Sequence, residues 1–272
     1  MLKKAFTIAF SVSILSIITS CSRDFDQLLK SDDYGLKLSK AYEYFEAEDY
    51  YKAQTLFEQA RPFYRGTKEL EKIYFHYAYT QYYQEKYILS AYYFGDFYKN
   101  YPNSEYAEES QYMAAYSNYE MSPNHKLEQS TTAQAIDGFQ LFVNTYPNSD
   151  RVEKCNILID ELRAKLEKKA ITTADLYFRL REYQAATQSY QNVLQDYPDT
   201  RAAAQVRMQI LRASYELAIN SVDSKKEERL EEAIDAYKIF KDKHSDNEAL
   251  MEEATKIYNS ATERLAKFKS LG

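Results

Sequence analysis

The chain has 272 residues, with 35 Lys and Arg against 41 Asp and Glu and a net charge of −6, so it lacks the basic surplus of a protein that tracks nucleic-acid phosphates. Five glycines and five prolines leave too few turn residues for a sheet-rich protein and predict nearly continuous helix. Tryptophan is absent, whereas tyrosine occurs 28 times and needs its own explanation.

At the N-terminus, Lys3 and Lys4 precede an apolar run from Ala5 to Ile18 broken only by Ser and Thr. A membrane-spanning helix needs roughly 20 apolar residues, so this shorter run suits a secretory signal over residues 1–20 that is removed. Its end, Ile18-Thr19-Ser20-Cys21, resembles a bacterial lipobox, with Cys21 as the lipid acceptor. A chance cysteine after an ordinary signal is the weaker reading in a chain with only two cysteines. Removing Lys3 and Lys4 leaves 33 basic against 41 acidic residues, a net charge of −8. Residues 21–33 read as a short polar tether.

From Tyr34 onward a single pattern recurs five times. Its turn position falls on Arg65, Pro102, Pro147, Pro198 and Ser245. Twelve residues earlier stands a small side chain (Ala53, Ser90, Ala135, Ala186, Ala233), and eight earlier an aromatic one (Phe57, Phe94, Phe139, Tyr190, Tyr237). Positions fifteen, five and one residue before the turn are mostly apolar or aromatic, so the steps alternate three and four and lie on one helical stripe. At three of the five turns proline ends the helix and pushes the preceding residue out of the α region, while Asn103-Ser104, Asn148-Ser149 and Asp199-Thr200 offer oxygens to cap the next one. Ala41, Ala78 and Ala174, each twenty-four residues before the turn, mark the partner helix.

Each unit is therefore helix, turn, helix. The small residue, the Ala-x3-aromatic step and the terminal proline, as in Ala78, Ser90, Phe94 and Pro102, resemble the tetratricopeptide repeat. The predicted fold is all-α, a tetratricopeptide-repeat superhelix of five helix-turn-helix units plus a C-terminal capping helix. Repeats 1–3 occupy 34–147, with the turn inside the third lengthened over Ser122–Thr131; repeats 4–5 and the cap occupy 148–272. The first helix of repeat 4 is expected to run uninterrupted from about Arg151 to Leu180 and to bridge the two halves. In its first part Val152, Cys155, Ile159, Leu162 and Leu166 form the buried stripe. Repeat 5 is expected as Ala202–Ile219 and Glu227–His244 joined by another extended turn, and the cap as Asn247–Lys269.

Five such repeats behind a lipobox, with a lengthened first helix in the fourth and the phrase Asp196-Tyr197-Pro198-Asp199-Thr200, resemble the BamD family of outer membrane assembly lipoproteins over Cys21 to about Lys269. The resemblance implies a non-enzymatic scaffold of the β-barrel assembly machine. It would be anchored in the outer membrane, face the periplasm, bind a BamA-type barrel protein, and touch unfolded outer-membrane protein clients.

The residues themselves offer little for catalysis. His76, His125 and His244 have no second ligand type at metal spacing, and there is no phosphate loop or nucleophile elbow, so no cofactor or metal is predicted. Cys155 reads as a small buried core residue rather than a reactive thiol. By the repeat resemblance, the groove-lining positions of the first helices fall on Tyr42 and Phe45 in repeat 1 and on Phe75, Tyr79, Tyr82 and Tyr83 in repeat 2. Tyr112, Tyr116 and Tyr119 continue the line. Such aromatics suit an extended peptide, with packing alone as the competing reading. Arg201 and Arg207 in repeat 5 are the candidate contacts to the machine partner, with Arg212 and Lys267 nearby. A glycan- or peptidoglycan-binding lipoprotein is the alternative function, although such sites usually use tryptophan.

Overall fold

In the computed structural model, which describes residues 24–271, the described chain is helical throughout, with no strand. The signal peptide, the lipobox and Cys21 lie outside the described residues. Residues 24–30 form α1, followed by α2 (Tyr34–Glu46), α3 (Tyr50–Ala60), a 3-10 turn (Arg61–Tyr64), α4 (Lys68–Tyr83), α5 (Tyr87–Asn100), α6 (Ala107–Glu120), α7 (Ser130–Thr145), α8 (Val152–Arg179), α9 (Tyr183–Asp196), α10 (Ala203–Ile219), α11 (Asp223–His244) and α12 (Glu248–Leu271).

Two turn geometries recur because the same residue types recur. At the proline turns, Tyr101, Tyr146 and Tyr197 leave the helix with φ near −126°, −124° and −128°, as the following proline requires. Their amides donate back to Phe97, Phe142 and Val193 at 2.8, 2.8 and 2.9 Å. The next hydroxyl then accepts from the entering chain: Ser104 from Tyr106, Ser149 from Arg151, Thr200 from Ala202, at 3.4, 3.2 and 3.0 Å. At the turns inside repeats 1, 2 and 4, Glu48, Glu85 and Arg181 take φ of 60°, 59° and 64°. There the amides of Asp49, Lys86 and Glu182 reach back to the carbonyls of Tyr44, Gln81 and Tyr177 at 2.9, 2.9 and 3.0 Å, closing the helix ends.

The repeated small residues sit where helices cross. Ala41, Ala53, Ala78, Ser90, Ala135, Ala174 and Ala186 are fully buried, and so are the aromatics Phe57, Phe94, Phe139 and Tyr190 one turn further. Ser90 and Ser117 share a buried hydrogen bond of 2.8 Å between α5 and α6. In repeat 3 the crossing is tightest at Gly138 of α7, where a Cβ would stand 2.8 Å from that of Ala115 on α6.

The described chain divides into two compact units, one holding residues up to Pro123 with Gln129–Asp160, the other Asn124–Glu128 with the chain from Glu161 onward. Unit 1 has its first core around Phe25, Leu38, Leu56, Phe57 and Ile73. Phe25 belongs to the segment expected only as a tether; instead α1 lies on the first hairpin, and the Lys37 ammonium donates to the Leu29 carbonyl at 3.0 Å. Cys155, Ile159 and Leu162 of α8 are buried as its three-four spacing requires, with Leu158 beside them, whereas Val152 and Leu166 at the ends of the expected stripe are only partly buried. Unit 2 builds cores around Ala174, Ala186, Tyr190 and Val193, and around Met208, Leu211, Tyr237, Phe240 and Ala254.

Repeat 5 departs from the sequence expectation. No extended turn joins its helices: α11 starts at Asp223, immediately after Val222, rather than near Glu227. The ion pairs Asp223–Lys226 and Lys225–Glu228 lie one turn apart and support those extra helical residues.

Candidate peptide-binding seam and partner face

In unit 1, the first helices of the hairpins, α2, α4 and α6, bring their aromatic residues into a continuous run of ring contacts. Tyr42 and Phe45 of α2 meet the His76 ring of α4 edge-on, at 5.1 and 5.0 Å between centroids. Phe75, Tyr79 and Tyr83 follow one another along α4 at 5.0 and 5.6 Å, since they stand four residues apart. Tyr82 crosses to Tyr116 of α6 at 6.3 Å, and Tyr116 stacks between Tyr112 and Tyr119 at 5.6 and 5.5 Å. Every aromatic residue expected in the groove is in this seam.

The rings are held at their polar ends. Tyr42 Oη donates to Glu69 Oε1 at 2.9 Å, and Tyr79 Oη donates to the Glu109 carboxylate, which also receives the Arg151 guanidinium. Burial first, and then these carboxylates, push both phenols far above their ordinary value. Tyr112, buried, is pushed up to about 12. Cations cover several faces: Lys72 Nζ lies 4.5 Å from the Tyr42 ring centre, the Arg151 guanidinium 4.5 Å from that of Tyr112, and Lys154 Nζ 5.2 Å from that of Tyr116. With two hydroxyls already committed, the seam presents ring faces and edges in fixed positions. Tyr83, 47% exposed, is its most open member.

Sequence reasoning set His76 aside and did not single out Lys72, Arg151 or Lys154. His76 Nδ1 donates to the Lys72 carbonyl at 2.8 Å, and burial lowers its pKa, so it packs as a neutral ring inside the seam. The i,i+4 spacing of Lys72 and His76 was legible. Arg151 and Lys154 were not, because they reach α6 from the start of α8, about forty residues away in the chain.

In unit 2 the arginines part company. Arg201 is exposed just before α10. Arg207 Nη1 donates to His244 Nε2 at 3.1 Å and, with Leu194, Ile210 and Leu217 among others, lines a groove of about 1210 Å3 formed by α9, α10 and α11. Arg212 instead forks onto Glu253 of α12, with Nε and Nη2 at 2.7 and 2.5 Å from its two oxygens, and so is spent on the cap. Lys267 is exposed on α12. Cys155 is fully buried, its thiol pushed up to about 11 by that burial, which makes it a core residue. Among the described residues no group of three His, Cys, Asp or Glu is placed to hold a metal ion.

Paired helices that cross on small residues, with an aromatic one turn on and a proline turn between pairs, define an all-helical protein of the tetratricopeptide-repeat type. The sequence profile of the YfiO family, an outer membrane lipoprotein family, matches residues 37–230, and the chain belongs to that family. It is 23% identical over 225 residues to the outer membrane protein assembly factor BamD of Pasteurella multocida (strain Pm70), covering 78% of this chain and 84% of that protein. Among solved structures it is similar to the TPR2AB domain of yeast Sti1 in its pHSP90 complex (13% identity, TM-score 0.41, 84% of this chain and 98% of that one). The TPR domain of P58(IPK) is a further likeness (16% identity, TM-score 0.41, 89% of this chain and 68% of that one).

Proposed function

We propose that the protein is a lipid-anchored scaffold of the machinery that assembles β-barrel proteins into the outer membrane, working by binding rather than by catalysis. The family match over residues 37–230 carries this reading, and the BamD relative supplies the assembly role. Cys21 takes the acyl chains and holds the protein on the periplasmic side of the outer membrane. The seam Tyr42, Phe45, Phe75, Tyr79, Tyr82, Tyr83 and Tyr116 receives the extended, aromatic-rich segment of an unfolded barrel client. Its rings are fixed before binding, so little side-chain entropy is lost when a peptide docks. Arg201 and Arg207 meet carboxylates of the barrel subunit, a BamA-type protein.

Photo-crosslinking tests the division of labour. A probe at Tyr83 or Tyr82 should capture client segments, and a probe at Arg201 or Arg207 the barrel subunit. Tyr83 is the preferred position because the Tyr79 hydroxyl is committed to Glu109. The same partner from both sets, or the reverse pattern, rejects the assignment.

A further inference from the structure

We infer that the edge of unit 1 at which α2, α4 and α6 end rests on the lipid surface that holds the Cys21 acyl chains, an inference that depends on the anchoring proposed above. The chain enters the described fold at this edge. The Phe25 ring of α1 stands edge-on to Tyr44, two residues before the end of α2, at 5.7 Å. It lies 5.7 Å from Lys52 Nζ near the start of α3. Three residue steps separate Cys21 from Asp24, a reach of about 10 Å at full extension. Acylation at Cys21 therefore keeps this edge, rather than the far ends of α2 and α3, beside the membrane.

The side chains here suit that neighbour. The first turn of a solvent-facing helix ordinarily carries polar residues, yet the second residues of α3 and α5 are Tyr51 and Ile88, 67% and 74% exposed. Leu89 follows, exposed at 42%, and with Ile88 and Met121 it borders a shallow depression of about 370 Å3. Tyr92, one turn beyond Ile88 on the same stripe, is 63% exposed. Tyrosine favours the boundary between headgroups and acyl chains, and an acyl anchor is strengthened by a second, weak membrane contact.

Charge narrows the kind of lipid. Glu46, Glu48, Glu85 and Glu120 are exposed at this edge; against them, Lys52 is paired with Asp49, and the Lys86 ammonium is shared by Gln54 and Gln84. An acidic rim is not drawn to anionic headgroups, so the contact is apolar insertion into a zwitterionic interface.

The test uses the acylated full-length protein in phosphatidylcholine–phosphatidylethanolamine vesicles, spin-labelled at Ile88→Cys or, as a control beyond the opposite end of α3, at Arg65→Cys. Cys155 is buried and takes no label. Collisions of the label at position 88 with a water-soluble nickel complex should fall several-fold on reconstitution, while position 65 stays unchanged, and added anionic lipid should not deepen the contact. The double variant Ile88→Asp, Leu89→Asp, which keeps the helix because both sites are exposed, should restore water access to a label at Tyr51→Cys. Position 88 remaining as accessible as position 65 overturns the contact, and deeper insertion with anionic lipid overturns its charge argument. If the protein floats with the vesicles through Cys21 yet position 88 stays in water, only this inference fails. If Cys21 carries no lipid and the chain does not float, the anchoring reading fails and the contact falls with it.

Discussion

His76 shows how a side chain without a catalytic partner still sets a property of the fold. Packed among Tyr42, Phe45 and Phe75 with Nδ1 bonded to the Lys72 carbonyl, it is kept neutral mainly by burial, and its folded pKa lies below the ordinary 6.5. The unfolded chain binds a proton near pH 6.5 that the folded one refuses, so stability is lost as pH falls through that value. Thermal unfolding followed by circular dichroism should have a lower midpoint at pH 5 than at pH 7, and His76→Phe, which keeps a ring in the site, should shrink that difference. A pH dependence unaltered in the variant would remove His76 as its source.

At the scale of the element, the turns inside repeats 1, 2 and 4 place Glu48, Glu85 and Arg181 in the left-handed region, where a side chain costs roughly 1–2 kcal/mol relative to glycine. Arg181 is exposed. Arg181→Gly should therefore stabilise unit 2 by about 0.5–1 kcal/mol once the greater freedom of the unfolded glycine is subtracted, moving the midpoint up by about 2–4 °C. A calorimetric midpoint that falls would mean that the Arg181 side chain supplies compensating contacts. These turns were hidden in the sequence because the residue type at the left-handed position is not the glycine that usually marks it. The proline turns were legible, since proline and the tyrosine before it have few backbone options.

For the whole molecule, repeats that pack on their neighbours make stability close to a sum over adjacent pairs. Ala186 is fully buried within the cluster of Ala174, Tyr190 and Val193. Ala186→Phe forces a ring into that crossing and should cost about 1–3 kcal/mol or more of overpacking. Limited proteolysis should then cut first within residues 161–271, while the fragment up to residue 160 persists. Loss of both units at equal rates would show that they unfold as one.

The sequence by itself determined the helical class, the register of the repeats and the family. These rest on short-range rules: a three-four spacing, small residues twelve before each turn, and proline at three of the five turns, each acting within a few residues along the chain. It also brought forward the aromatic residues whose rings the fold joins into one seam, but not what surrounds them. Only the tertiary structure decided that Arg151 and Lys154 cover Tyr112 and Tyr116, that Glu253 takes Arg212 and His244 takes Arg207 while Arg201 stays exposed, and that Phe25 joins the first core. Those contacts join residues tens of positions apart. Their pairing depends on which helix faces lie opposite each other after packing, and no local spacing encodes that.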